Sequence, residues 1–271
     1  MRRQLWRSVV AAMSIAMAGA PWMPARAGCE PAPPTAQERY DKLTRTPSLG
    51  QFWGAVLVAK GDDVFARGYG LVDERGEEID RATLFDIGSV TKQFTAAGAL
   101  KLQSQGKLTL DEPVATYLPG LEGKALERAK VVTLRHLLLH TSGMSDREAI
   151  QAINFPDRDK AVAIAIGSKP TGGPGAAFEY CNSGYIVAAA VIERVSGVQY
   201  EQYVVNEVMR PAGMRTAGFI NGVGIDPKVK AAARVVEQQA RGYTGKLVND
   251  PREVLGWGLK GAGGIAASLD D

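Results

Sequence analysis

A change of hydrophobic texture at Ser89 constrains this chain more than any other feature. Before it, Trp53 to Lys60 (WGAVLVAK) and Val64 to Tyr69 (VFARGY) are two β-rich runs on either side of Gly61-Asp62-Asp63, the pattern of a hairpin closed by a tight turn. After it, Val90, Phe94, Ala97 and Leu100 recur at helical spacing and Gln105-Gly106 supplies a stop, which predicts a helix from about Ser89 to Gln105. Further helical patterns cover Leu134 to His140, Asp159 to Ile166, Ser183 to Val195 and Glu201 to Met209, and Ala36 to Arg45 has helical composition. Breaks such as Gly172-Gly173-Pro174-Gly175 separate them. A strand pair, a helical region over about 89–240 and a Gly-rich tail from Gly256 to Gly264 predict an α+β protein with a helical subdomain inserted after the first strands. With 45% of 271 residues hydrophobic and 23% charged, the chain is large enough for one big domain or two interleaved layers.

The first residues read as an address rather than as structure. Arg2, Arg3 and Arg7 precede an apolar run from Ser8 to Ala20 that is too short to span a bilayer, and Ala25-Arg26-Ala27 is a small-residue cleavage site. A signal peptide over 1–27, a mature domain over 28–271 and a periplasmic or secreted location follow as expectations, with no stable membrane span after cleavage. Removing Arg2, Arg3, Arg7 and Arg26 takes Lys+Arg from 32 to 28 against 29 Asp+Glu, so the net charge falls from +3 to −1. Nothing in that balance calls for nucleic acid. Ala27-Gly28-Cys29 also allows a lipid anchor on Cys29, although Arg26 stands where an aliphatic residue is wanted.

Ser89-Val90-Thr91-Lys92 places a hydroxyl and an amine three residues apart, on one face of the expected helix and within reach of a proton transfer. A serine needs a base to become a nucleophile, and a lysine serves as one only where burial or a neighbouring cation disfavours its charged form. The opening turn of a helix also offers the Ser89 N–H and the helix dipole to a developing oxyanion. A second match, Ser104-Gln105-Gly106-Lys107, has Gly106 between the two side chains, which ends the helix and separates them. Taken alone, Tyr180-Cys181-Asn182 reads as a turn with Asn182 as helix N-cap. His136 and His140 lie four apart, but Leu137 stands where a zinc protease needs Glu and no third ligand is evident, so no metal or cofactor is expected. His140 is expected to hydrogen-bond within the loop before Ser142-Gly143. Cys181 has no histidine near it in sequence to make it a catalytic thiol.

These segments together resemble the serine β-lactamase and penicillin-binding-protein superfamily, in particular the group of class C β-lactamases, D-Ala-D-Ala carboxypeptidases and related esterases. The resemblance rests on Thr83 to Thr95 (TLFDIGSVTKQFT), Gly68-Tyr69-Gly70, Lys107 to Pro119 (KLTLDEPVATYLP), Leu134 to Met144 (LRHLLLHTSGM) and Tyr180-Cys181-Asn182 after Pro174-Gly175, in that order. It implies a β-lactamase/transpeptidase-like fold, in which an antiparallel sheet carries a large helical subdomain. It also implies Ser89 as nucleophile, Lys92 as its proton acceptor, Tyr180 as a proton relay and Asn182 as the group that orients substrate. The expected activity is hydrolysis of β-lactams, D-Ala-D-Ala peptides or small esters through an acyl-enzyme on Ser89, with a small-molecule or peptidoglycan-derived substrate as partner. The superfamily's third motif, Lys or His followed by Thr or Ser and Gly on a strand, has no counterpart before Ser268-Leu269-Asp270-Asp271. Lys169-Pro170-Thr171-Gly172 is no substitute, because it precedes Tyr180 and Pro170 disfavours a central strand. Three C-terminal strands are therefore expected to be missing, whether the chain is a fragment or a natural short protein. The alternative function is that of a truncated, weak or inactive paralogue serving as a cell-wall-binding module.

Overall fold

The computed structural model describes residues 35, 38, 39, 41, 42, 54–70, 78–147, 152, 155–225 and 256–271. The expected signal peptide, Cys29 and the end of the helical region (226–240) lie outside the described residues, as does most of the expected helix over 36–45.

Strand β1 (Gly54–Lys60) pairs antiparallel with β2 (Asp63–Tyr69), and Lys60 faces Asp63 across the turn. The loop is therefore two residues, Gly61-Asp62, one shorter than the sequence suggested. Gly61 takes φ +60° at its first position, the place where a type II′ turn demands a glycine. Phe65 is buried while Leu57 and Val64 face solvent, so the hairpin offers one face to the protein. Part of its docking is backbone: Ile79 N–H donates to the Gly70 carbonyl at 3.0 Å, and a Cβ on Gly68 would stand 1.9 Å from the Ile79 oxygen. Only glycine allows that approach. Arg67 and Tyr69 also donate to the Asp41 carboxylate.

A second sheet holds three short antiparallel strands in the order β3 (Phe85–Asp86), β5 (Ile265–Ala267) and β4 (Gly218–Phe219). Ala266 of β5 faces Asp86 on one side and Gly218 on the other, and the whole central strand is buried. The Gly-rich tail thus inserts between two strands that come before it in the chain.

The helices carry most of the core. After a 3-10 turn at Gly88–Val90 come α1 (Thr91–Ser104), α2 (Gly123–Ala129), α3 (Leu134–Leu138), α4 (Arg158–Gly167), α5 (Asn182–Ser196) and α6 (Tyr200–Val204). The chain continues from α6 as a π turn, Val205–Met209, and later as α7 (Lys260–Gly263) behind a 3-10 turn at Trp257–Leu259. Helix α5 reads GYIVAAAVI over residues 184–192, apolar all round, and every residue from Ser183 to Ile192 is buried. A helix of that kind needs partners on all sides. It has them in α1, α3, α4, α6 and α7. Its alanines let α7 lie directly on it, since a Cβ on Gly261 would stand 2.7 Å from the Ala189 Cβ. Gly197, at φ +72°, ends α5 in the left-handed conformation. This architecture is α+β.

Candidate active site

The start of α1 is fixed before its side chains are considered. Gly88 turns the chain at φ +49°, Ile87 N–H donates to the Ile265 carbonyl at 3.0 Å, and Ile265 N–H donates to Thr91 Oγ1 at 3.2 Å. Strand β5 therefore clamps both ends of the turn that carries Ser89. Ser89 is exposed and Lys92 is 6% exposed, so a solvent-accessible hydroxyl meets a buried amine. Their side chains lie on one helical face, as the spacing predicted, with Nζ 3.1 Å from Oγ. The other two neighbours of Nζ are Asn182 Oδ1 at 2.7 Å and the Ala262 carbonyl at 2.8 Å. The rings of Tyr180 and Tyr185 stand beside the same nitrogen, 4.9 and 5.4 Å from it to their centres.

Tyr180 completes the group, its hydroxyl donating to Ser89 Oγ at 2.8 Å. The segment that presents it is tied to the loop after α3 by three backbone bonds. Thr171 N–H donates to Gly143, Gly175 N–H to Thr141 and Glu179 N–H to His140. Gly143, at φ +64°, permits this contact, because a Cβ there would stand 2.2 Å from the Gly172 oxygen. His140 holds φ +56°, a conformation uncommon for any residue but glycine. Its ring stacks on Tyr180 at 4.5 Å, and its Nδ1 accepts from the Cys181 N–H at 3.1 Å. The imidazole therefore reaches across to the Tyr180 segment instead of bonding within its own loop. Burial, then the positive charge of Lys92, push His140 below its ordinary pKa, against the pull of Asp146.

The four residues singled out from the sequence, Ser89, Lys92, Tyr180 and Asn182, thus form one contiguous network. Ser104 does not share it: its hydroxyl donates to the Lys101 carbonyl at the end of α1, and Gly106 follows at φ +68°. Cys181, not Asn182, occupies the N-cap position of α5, with its thiol buried and pushed up to about 11 by that burial. His136 Nδ1 accepts from the Thr133 N–H in a capping box at the start of α3. Two groups escaped the sequence reading. One is the Ala262 carbonyl, which as backbone leaves no mark in the sequence. The other is Asp146, whose Oδ2 accepts from Asn182 Nδ2 at 2.9 Å and whose Oδ1 accepts from the Ser183 N–H at 3.1 Å. Its position two residues after Met144, beside a recognisable loop, was the available signal.

The family described as Beta-lactamase matches residues 49–271. The chain belongs to that family. It is 36% identical over 185 residues to the putative penicillin-binding protein PbpX of Bacillus subtilis (strain 168), covering 67% of this chain and 45% of that protein. To the esterase EstB of Burkholderia gladioli it is 33% identical over 183 residues, covering 62% of this chain and 46% of that one. Among solved structures, the octameric penicillin-binding protein homologue from Pyrococcus abyssi superposes with a TM-score of 0.62 at 28% identity, over 79% of this chain and 49% of that one. The β-lactamase/transpeptidase-like fold is thereby shown. The chain spans less than half the length of these relatives. Among the described residues no helix is long and apolar enough to cross a membrane.

Proposed function

We propose that this chain is a serine hydrolase that forms an acyl-enzyme on Ser89. The observation that carries the reading is the convergence of Lys92 Nζ and the Tyr180 hydroxyl on one exposed serine oxygen, at 3.1 and 2.8 Å. To act as base Lys92 must first give up a proton; its two N–H bonds can then satisfy Asn182 Oδ1 and the Ala262 carbonyl and leave the lone pair to Ser89 Oγ, the third neighbour of Nζ. As Oγ attacks the substrate carbonyl carbon, its proton passes to Lys92. The proton then moves through the Tyr180 hydroxyl to the leaving amine or alkoxide as its bond to carbon breaks. Water hydrolyses the resulting Ser89 ester and regenerates the hydroxyl. The Ser89 N–H, at the opening turn of a helix, is placed to receive the oxyanion.

β-Lactams, D-Ala-D-Ala peptides and small esters are the proposed substrate classes, supported by similarity to a putative penicillin-binding protein and to an esterase. Export directed by residues 1–27 belongs to the same proposal. Intact-protein mass spectrometry after incubation with a penicillin and, separately, an activated short-chain ester tests it. A mass increase of one acyl group is expected, absent in Ser89→Ala, retained in Ser104→Ala, and formed roughly 10² to 10⁴ times more slowly in Lys92→Ala. Labelling that persists in Ser89→Ala would overturn the assignment. A folded chain that no probe acylates would favour the alternative reading of a non-catalytic cell-wall-binding module.

A further inference from the structure

Asp146 has no part in the proton path above, but it holds the Asn182 amide that touches Lys92. The carboxylate grips α5 at two points: Oδ2 takes the Asn182 amide nitrogen at 2.9 Å, and Oδ1 takes the Ser183 N–H at 3.1 Å with the Ser183 hydroxyl 3.4 Å away. A backbone N–H in the first turn of a helix is a fixed donor, and the positive end of the helix dipole favours an anion there. The carboxylate is therefore anchored independently of Asn182.

A primary amide is nearly symmetric in shape but opposite in polarity at its two ends, and only its partners decide which end faces which way. Asp146 as a carboxylate can only accept, so it selects the NH2 end. The carbonyl end is then directed at Lys92 Nζ, 2.7 Å away. With the amide reversed, Lys92 would meet a second set of N–H groups, lose one of its two fixed acceptors and no longer hold its lone pair on Ser89.

We propose that Asp146 is a positioning residue for acyl transfer, setting through the Asn182 amide the direction in which Lys92 presents its lone pair to Ser89. The proposal rests on the reading of Ser89 and Lys92 as the acyl-transfer pair. It identifies Asp146→Asn as the informative change, since a neutral amide of the same size accepts or donates and no longer enforces one orientation.

The test compares the full chain with Asp146→Asn in three measurements. With the penicillin or ester probe, the acylation rate constant should fall about 10-fold to 100-fold, as expected for misplacement of a reacting group. The half-saturating probe concentration and the melting temperature should change little. In a Lys92→Ala background the same substitution should add nothing, because its effect runs through Lys92. Unchanged acylation in Asp146→Asn, or a full additional loss on top of Lys92→Ala, would overturn the proposal. The third measurement needs no turnover. In a 15N spectrum of the wild-type chain, the Asn182 side-chain NH2 protons should exchange with solvent more slowly than those of exposed Asn206, and should shift in Asp146→Asn. If the wild type is never acylated, the hydrolase reading fails and the acyl-transfer role of Asp146 with it, while this signature still shows whether Asp146 holds the Asn182 amide in one orientation. If Asp146→Asn does not fold, equal exchange at Asn182 and Asn206 in the wild type would refute the proposal and slower exchange would support it.

Discussion

Helix α5 and the β1–β2 hairpin are both apolar in sequence, yet they occupy opposite extremes of this molecule. From Ser183 to Ile192 the helix has no exposed residue, whereas Gly54 and Phe65 are the only buried residues of the hairpin. Both segments could be located from their periodicity, but periodicity states only which face is apolar. What covers that face depends on the rest of the chain. Helix α5 is covered by five other helices, whereas the hairpin, among the described residues, meets Ile79 at Gly68 and Gly70 and Asp41 through Arg67 and Tyr69. Stability should therefore be concentrated around α5 and local at the hairpin.

The largest expected effect is in the helix. Ile186→Ala removes a fully buried side chain from a site with neighbours on every side, and should cost about 2–5 kcal/mol in denaturant unfolding. A loss near that of a surface change would mean that α5 is not the centre of the cooperative unit. Gly68→Ala attacks the hairpin at its docking point. A Cβ 1.9 Å from backbone oxygen cannot be accommodated without moving β2 or the segment at Ile79. The expected outcome is faster proteolysis within residues 54–70, with a smaller fall in the melting temperature than Ile186→Ala produces. Equal falls would show that hairpin and helices melt as one.

His140 lies between these extremes, half-buried and packed on the proposed proton relay. Its folded-state pKa is lowered by burial and by Lys92, so between that value and the unfolded value of about 6.5 the unfolded chain binds more protons. Its contribution to stability is therefore full above about pH 6.5 and is lost as the pH falls toward and through the folded value. His140→Asn keeps an acceptor near the Cys181 N–H and a residue that tolerates positive φ, without the titration. Melting temperature should depend less on pH in that variant below pH 6.5, and an unchanged dependence would assign it to other groups. The smallest effect is expected from Leu57→Thr on the outer face of the hairpin, within about 0.5 kcal/mol of wild type by the same denaturant measurement.

The sequence revealed most where chemistry and period coincide. Ser89 and Lys92 sit three residues apart across a 3-10 turn that runs straight into α1, and that local winding alone brings them together. Tyr180 and Asn182 were found through the family resemblance, because no local rule places residue 180 beside residue 89. Asp146 and the Ala262 carbonyl were missed for different reasons. An aspartate in a loop has no periodicity to betray its direction, and a backbone oxygen has no residue type. The same applies to β5. One isoleucine and two alanines after a glycine run are too short a stretch to signal a strand, and their pairing is imposed by Phe85–Asp86 and Gly218–Phe219 on either side. In the stretch from Tyr200 to Met209 the helical period was legible, but the change from α to π winding after Val204 was not.

The three oxygens around the Lys92 amine come from chain positions 3, 90 and 170 residues away. Closing the longest of those loops carries the largest entropic cost and is the contact a folding chain is slowest to secure. Helices such as α1 and α5 can form and pair while Ala262 is still far from Lys92, but the amine is not held in place until the tail has come back across the molecule. During refolding, far-ultraviolet circular dichroism should therefore recover ahead of the ability to acylate Ser89. Ser89, the proposed nucleophile, would then be a late reporter of folding, and chains caught before that last closure should keep their helices without acylating.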